Sequence, residues 1–394
     1  MAPLGENIDY RLDSTVDGID VSGGYVELHS GDNIHYDRLL IATGGRQKTP
    51  PIPGLDPSVV RPFITLEDAE NLDARIKAGQ KALVIGGGLI GLKAAEALHS
   101  RGMSVTVVEL LPWVMPSVLD ARAGKVVSDH LQRQGLDVRT GTTVKEIAAE
   151  PDGSGNAILD DGSVINFVVA VLATGVEPKM FVKEIAGLQV QHGIVVDELG
   201  RTNVEGVFAA GDVAEGPDPL RGCLATNLNW TSAREQGRIA GCAMVGASDE
   251  YYGSVALNSL TFMGCPVITM GITAVPDAEA DAIDMTELTD PTLRSGVYRK
   301  LIFREGKIVG AILVGDIAFS GTYHRLIRDS IEVGDLGNEL LSGGRRFIQR
   351  IEELRREDME GSHSWRQHVW EEIQYRKKMN TQKWKRRTDQ SSPS

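Results

Sequence analysis

Cysteine is scarce in this 394-residue chain: Cys223, Cys242 and Cys265 are the only three, far apart and in no Cys-x-x-Cys pair. Such spacing excludes a disulfide framework and any recognisable cysteine metal site, and all three read as small buried apolar side chains. Long apolar runs are also missing. None reaches the roughly 20 residues of a membrane-spanning helix. The first residues, Met1 to Asn7, have neither the basic nor the apolar part of a signal peptide, so a soluble cytoplasmic protein without a membrane span is expected. Positive charge is short as well, with 41 Lys and Arg against 54 Asp and Glu and a net charge of −13. Nucleic acid is excluded as a general partner, because phosphate backbones are held by an excess of Lys and Arg. The deficit is uneven: residues 341–394 carry net +5, which leaves −18 on residues 1–340.

What the sequence does carry is a strand-turn-helix pattern in its middle. Ala82 to Ile85 form an apolar strand that runs into Gly86-x-Gly88-x-x-Gly91, an Ala-rich helix follows, and Ser104 to Glu109 form a second strand ending on an acid 18 positions after the last glycine. This is the dinucleotide-binding pattern with its full context. Gly86 permits the tight turn, Gly88 lets the backbone approach a pyrophosphate, and Gly91 lets the helix pack close on the strand. The helix N-terminus offers unpaired N–H groups to the anion. Glu109 is placed to accept from ribose hydroxyls and to repel the extra phosphate of NADP. No Arg or Lys follows between Leu110 and Pro116 to receive that phosphate, so NADH is favoured over NADPH.

Two similar strand-to-turn segments bracket this unit. Tyr36 to Gly45 is an apolar strand ending in Ala42-Thr43-Gly44, and Val168 to Gly175 is one ending in Ala173-Thr174-Gly175. Alternating, hairpin-like stretches precede both, Tyr25–Asp32 and Ala157–Gly162. The duplicated plan suggests two related nucleotide-binding domains, one inserted in the other. Downstream, the segment from Gly200 to Ala214 reads as a further strand ending on Gly211-Asp212, and Arg304 to Lys307 reads as a hairpin turn between apolar strands.

On these motifs the chain resembles the FAD- and pyridine-nucleotide-dependent oxidoreductases over about residues 20–340, within the pyridine nucleotide-disulfide oxidoreductase family. The closest likeness is to rubredoxin and ferredoxin reductases, NADH oxidases and the NADH-oxidising part of nitrite reductase large subunits. Thr65–Leu72 resembles the linker into the NAD domain, Ala233–Gly241 the helix after the Gly-Asp motif, and Lys307–Asp316 part of the C-terminal interface domain. The expected fold class is α/β: two Rossmann-like dinucleotide-binding domains, one inserted in the other, plus a small α+β C-terminal interface domain. The boundaries read as an incomplete first half of the FAD-binding domain at 1–70, an NAD-binding domain at 71–178 and the second FAD half at 179–250. The interface domain follows at 251–340, then a charged helical tail at 341–394.

The resemblance implies an NADH-dependent flavoprotein reductase that passes a hydride from NADH to FAD and electrons on to an acceptor such as a redox protein or a reductase complex. Homodimers occur among such relatives. Thr43 and Gly44 would lie beside FAD, and Asp212, after Gly211, would hydrogen-bond a ribityl hydroxyl. Gly86, Gly88, Ile90, Gly91, Glu109 and Gly175 would line the NAD side. The helix starting near Asn227 would point its positive end at the flavin, with Asn227, Trp230 and Thr231 near the ring. No side chain stands out as an acid, base or nucleophile.

The chain departs from the family pattern in two places. The opening strand and Gly-x-Gly-x-x-Gly turn that grip the FAD pyrophosphate have no counterpart in residues 1–35. An internal codon taken as the start, a piece supplied by another subunit, or abandonment of FAD would each account for it, and the last makes a non-catalytic NADH-binding subunit the competing expectation. Lys93 stands where many relatives carry Glu near the nicotinamide, and reads either as an altered contact or as a solvated lysine. In the tail, Phe347–Leu354 and the spacing of Trp365, Val369 and Ile373 predict two amphipathic helices before the basic stretch Arg376–Arg387. They would pack on the chain's own acidic body, dock an acidic partner, or touch membrane or nucleic acid.

Overall fold

The computed structural model describes residues 8–333 and 337–342, apart from 58, 180–186, 248–252, 254, 274–284 and 290–295, together with 349 and 353. The elements run β1 (Val16–Asp20), β2 (Tyr25–Leu28), β3 (Asn33–His35), β4 (Leu39–Ile41), β5 (Gly45–Gln47), β6 (Val60–Pro62), α1 (Leu66–Asp73), β7 (Lys81–Ile85), α2 (Leu89–Ser100), β8 (Ser104–Glu109), α3 (Ala121–Arg133) and β9 (Asp137–Thr140). Next come β10 (Val144–Ala149), β11 (Gly155–Leu159), β12 (Val164–Phe167), β13 (Val169–Leu172), β14 (Val176–Pro178), β15 (Ile194–Val195), β16 (Val207–Ala209), β17 (Ala214–Asp218), β18 (Cys223–Ala225) and α4 (Trp230–Met244). The last are β19 (Leu257–Phe262), β20 (Cys265–Gly271), β21 (Met285–Thr289), β22 (Tyr298–Arg304), β23 (Lys307–Val314), α5 (Ser320–Arg328) and α6 (Gly337–Ser342). They form two compact units, one from 46–177, 218–223 and the described residues beyond 254, the other from 1–45, 178–217 and 224–253.

The larger unit holds a five-stranded sheet in the order β6-β13-β7-β8-β9, every pair parallel. Its central strands are covered on both faces, which is why Ala82–Ile85 and Val169–Leu172 read as unbroken apolar runs. On one face α2 buries Gly91, Leu92, Ala94, Ala95 and Leu98, the stripe that 3.6-residue periodicity selects. Burying Leu92 and Leu98 contributes roughly 2 kcal/mol each. On the other face the antiparallel meander β10–β12 packs Ile147, Leu159, Ile165 and Phe167 against Leu83, Ile85 and Leu172.

A second, antiparallel sheet in the order β19-β20-β23-β22-β21 follows, with α5 packed on it. The β22–β23 turn places Glu305 and Gly306 at φ 52° and 73°, the pair of positive values a two-residue hairpin demands, as the sequence led us to expect. Phe262, Cys265, Val267, Ile312 and Val314 of this sheet enter the same core as Leu92, Val107 and Leu131. The parallel and antiparallel sheets of this unit thus share one interior.

The smaller unit contains the meander β1-β2-β3, the parallel pair β16-β4, most of the sheet β15-β17-β18 and α4. Its core cluster is small: Ile41, Ile194, Val196, Val207, Ala209, Val213 and Ala214.

Several expectations shift. The linker-like segment at Thr65 is a capped helix: Thr65 Oγ1 accepts the Asp68 N–H at 3.0 Å and Asp68 Oδ2 accepts the Thr65 N–H at 2.8 Å. Helix α4 begins at Trp230 rather than near Asn227, with Asn229 Oδ1 accepting the Ser232 N–H at 2.9 Å. Only Cys265 is buried; Cys242 is half-buried, and Cys223 is exposed at the start of a three-residue strand with no face in a core. The helices expected in the tail, with Trp365, Trp370, Trp384 and Arg376–Arg387, lie outside the described residues.

Candidate functional site

The strand pairing sorts the sequence-predicted residues into two groups, each at the carboxyl ends of parallel strands, where open α/β sheets take their ligands. In the larger unit β7 is paired with β13 and β8 so that Ile85 lies level with Leu172 and Val108. Gly86, Glu109 and Gly175 therefore leave the sheet at one edge, and Gly88, Ile90 and Gly91 open α2 there.

The glycines of this edge are needed for different reasons. Gly86 sits at φ +108°, and a Cβ on it would meet the Ala173 carbonyl oxygen at 2.2 Å. On Gly91 a Cβ would come within 1.9 Å of the Gly86 oxygen, so the helix can lie this close to the turn only without a side chain. Gly88 has nothing within 4 Å of its absent Cβ: the space it faces is open, not filled by protein. It is also the N-cap of α2 and gives no side-chain cap, whereas α1, α3 and α4 are capped by Thr65, Asp120 and Asn229. First-turn N–H groups of α2 are left for an outside acceptor.

Glu109 is buried and holds this turn in place. Its Oε2 accepts the Gly87 N–H at 2.7 Å and its Oε1 the Leu111 N–H at 2.8 Å. An ionised carboxylate has about four lone-pair sites, so two remain for hydroxyl donors. Gln47 was not singled out by sequence reasoning. Its Nε2 donates to the Gly175 carbonyl at 2.9 Å and lies 3.2 Å from Thr174 Oγ1, which donates to the Lys48 carbonyl at 2.6 Å. The signal for it was weak: a polar run directly after the first Ala-Thr-Gly.

In the smaller unit Ile41 lies level with Ala209 in the parallel β4–β16 pair, so Thr43, Gly44, Gly211 and Asp212 gather at a second carboxyl edge. Gly44 and Gly211 take φ +72° and +77°. Thr43 Oγ1 donates to the Lys179 carbonyl at 3.3 Å, and the Lys179 N–H to the Gly44 carbonyl at 2.9 Å. The Gly211 N–H is taken by Gln236 Oε1 of α4 at 2.8 Å. Asp212 is different. Burial pushes its carboxyl above the usual carboxylate range, and no donor among the described residues reaches it. A half-buried acceptor without a partner is suited to a ligand hydroxyl.

Lys93 is neither free nor at the turn. Its Nζ pairs with Glu96 and donates to the Thr261 carbonyl at 3.1 Å, 6.0 Å from the centroid of the Phe262 ring.

Residues 1–237 match the pyridine nucleotide-disulphide oxidoreductase family, and residues 257–331 match the rubredoxin NAD+ reductase C-terminal domain. Among individual proteins, the chain is 31% identical to the NADH-dependent phenylglyoxylate dehydrogenase subunit epsilon of Aromatoleum evansii, over 81% of this chain and 75% of that protein. It is also 31% identical to the nitrite reductase [NAD(P)H] of Bacillus subtilis (strain 168), over 84% of this chain but only 39% of that one. A NAD-dependent persulfide reductase from A. fulgidus superposes with a TM-score of 0.77 at 30% identity, covering 84% of this chain and 65% of the other. The chain thus spans between about two fifths and three quarters of the length of these relatives.

Proposed function

The chain belongs to the pyridine nucleotide-disulphide oxidoreductase family, and from that premise we propose an NADH-dependent FAD flavoprotein reductase that hands electrons to a redox-protein acceptor. The observation that carries the reading is the dinucleotide turn of the larger unit together with, at the parallel-strand edge of the smaller unit, a half-buried Asp212 that no donor among the described residues reaches. The match of 257–331 to the rubredoxin NAD+ reductase C-terminal domain supports a small redox protein as acceptor. The same matches favour an enzyme over a non-catalytic nucleotide-binding subunit.

The residues present fit both cofactors to different extents. For NADH the fit is complete in kind. Gly88 would leave room for the pyrophosphate, the first-turn N–H groups of α2 would donate to it with the helix dipole behind them, and Glu109 would accept from ribose hydroxyls while disfavouring a 2′-phosphate. For FAD the described residues supply the hydroxyl acceptor Asp212 and the open backbone at Gly44. FAD, when bound, supplies the ring that accepts hydride from NADH and releases electrons onward. The protein's part is to bind and orient; no side chain at either edge is needed as acid or base, which suits a reaction controlled by positioning.

Anaerobic addition of NADH to the FAD-loaded chain tests the reading. Bleaching of the flavin's visible band, followed by recovery when an oxidised rubredoxin or ferredoxin is added, is the expected result. Flavin that stays oxidised under saturating NADH would overturn it.

A further inference from the structure

Helix α2 carries the dinucleotide turn at its N-terminus, so whatever fixes α2 fixes the turn. One side is fixed by Gly91, Leu92, Ala95 and Leu98 against the sheet. The other side meets the tip of the β19–β20 hairpin, where Met263 and Gly264 form the two-residue turn at φ 47° and 88°. Three polar contacts converge there. Lys93 Nζ donates to the Thr261 carbonyl at 3.1 Å. Glu96, paired with Lys93 through Oε2, accepts the Met263 N–H on Oε1 at 2.8 Å. His130 Nε2 of α3 lies 3.0 Å from the Met263 carbonyl. Lys93 and Glu96 are one turn apart, so they present a single bidentate face to the hairpin.

We infer that Lys93 and Glu96 are positioning residues for the nucleotide: they clasp α2 to the Thr261–Met263 hairpin and so set where the pyrophosphate-binding turn stands, with Lys93 directed at the hairpin rather than at the nicotinamide. The inference rests on the reading of Gly86–Glu109 as the NADH site. Two of the three Lys93 N–H donors are engaged, by Glu96 and by the Thr261 carbonyl. Glu96 bridges that lysine to a backbone N–H at a residue held in the left-handed region, where a non-glycine residue is disfavoured and the turn depends on outside support.

Binding of NADH and of ADP-ribose to the full chain decides it, since the second shares the pyrophosphate and lacks the nicotinamide. Glu96→Ala removes the Met263 acceptor and the Lys93 counter-charge, and should weaken both ligands by the same factor, about five- to tenfold. Lys93→Met should weaken both about threefold, and Glu96→Gln, which keeps an oxygen for the Met263 N–H, should restore binding to within twofold of wild type. Amide exchange across 86–92 in the nucleotide-free Glu96→Ala chain should accelerate. A loss confined to NADH in Lys93→Met would place the lysine on the nicotinamide and overturn the inference. So would unchanged affinities with only a lower melting temperature, the result of a purely structural clasp. A wild-type chain that binds neither ligand would instead overturn the site assignment beneath it.

Discussion

Two strands of this molecule end in the same three residues, Ala-Thr-Gly, and keep very different company. The one ending at Gly175 continues from β13, second in a sheet of five parallel strands. The one ending at Gly44 continues from β4, which has a single partner, β16, among the described residues. The acids associated with the two edges differ in the same way. Glu109 is buried and already accepts two backbone N–H groups; Asp212 is half-buried and accepts none from the described residues. Identical strand endings therefore do not make equivalent sites. At the first edge the carboxylate is already held by backbone N–H groups and the open donors are those of the α2 first turn, whereas at the second edge the carboxylate itself is left for a ligand donor.

The comparison is broken most severely at Gly91. Gly91→Ala puts a methyl 1.9 Å from the Gly86 oxygen, so the turn must shift. We expect about 3 kcal/mol of lost stability in urea denaturation and no measurable NADH binding. Gly44→Ala has open space and only the cost of its positive φ, about 1 kcal/mol.

Asp120 tests the shared interior of the larger unit. Its Oδ1 caps α3 through the Ala123 N–H at 2.9 Å, while Oδ2 accepts the Tyr298 hydroxyl at 2.7 Å and lies 3.1 Å from buried Lys300. Asp120→Ala removes the α3 N-cap and the acceptor shared by the Tyr298 hydroxyl and Lys300, and should cost about 2 kcal/mol by urea titration. A loss below 1 kcal/mol would mean the two sheets do not depend on this contact.

Acid separates the two kinds of carboxylate by sign. Burial alone would raise the Asp120 pKa, but the Ala123 N–H, the Tyr298 hydroxyl and Lys300 outweigh it and hold the carboxyl below its usual range. Its contribution is present above the unfolded value of about 3.9 and is lost as pH falls through the depressed folded pKa. Asp212 is raised, so its ionisation costs stability as pH rises through its folded value. Asp212→Asn should therefore leave the ligand-free chain slightly more stable at neutral pH than wild type, by less than about 1 kcal/mol, yet weaken flavin binding. Melting curves at pH 3 and pH 7 read the first effect and flavin retention on dialysis reads the second. A variant that holds flavin as wild type does would remove Asp212 from the site.

The parallel sheet and its turn were legible because their signals are local: an apolar strand, three glycines at fixed spacing and an acid after the next strand. The glycine mechanics assigned from spacing reappear as the contacts a Cβ would make at 86 and 91. What sequence could not show was pairing across long separations. Nothing near Lys93 announces Thr261, and nothing near Asp120 announces Tyr298 and Lys300, because those contacts arise only when the second sheet docks. The exposed Cys223 escaped for the opposite reason: an apolar residue type was read as core where the local strand has no core to enter.

Calorimetric titration of the flavin-free chain with NADH and then with NADPH tests the central claim most directly, that the Gly86–Glu109 edge is a self-sufficient NADH site. Saturable binding of NADH without flavin, with NADPH at least about tenfold weaker through repulsion at Glu109, is the expected result. Absence of NADH binding until flavin is present, or equal affinity for the two nucleotides, would contradict it.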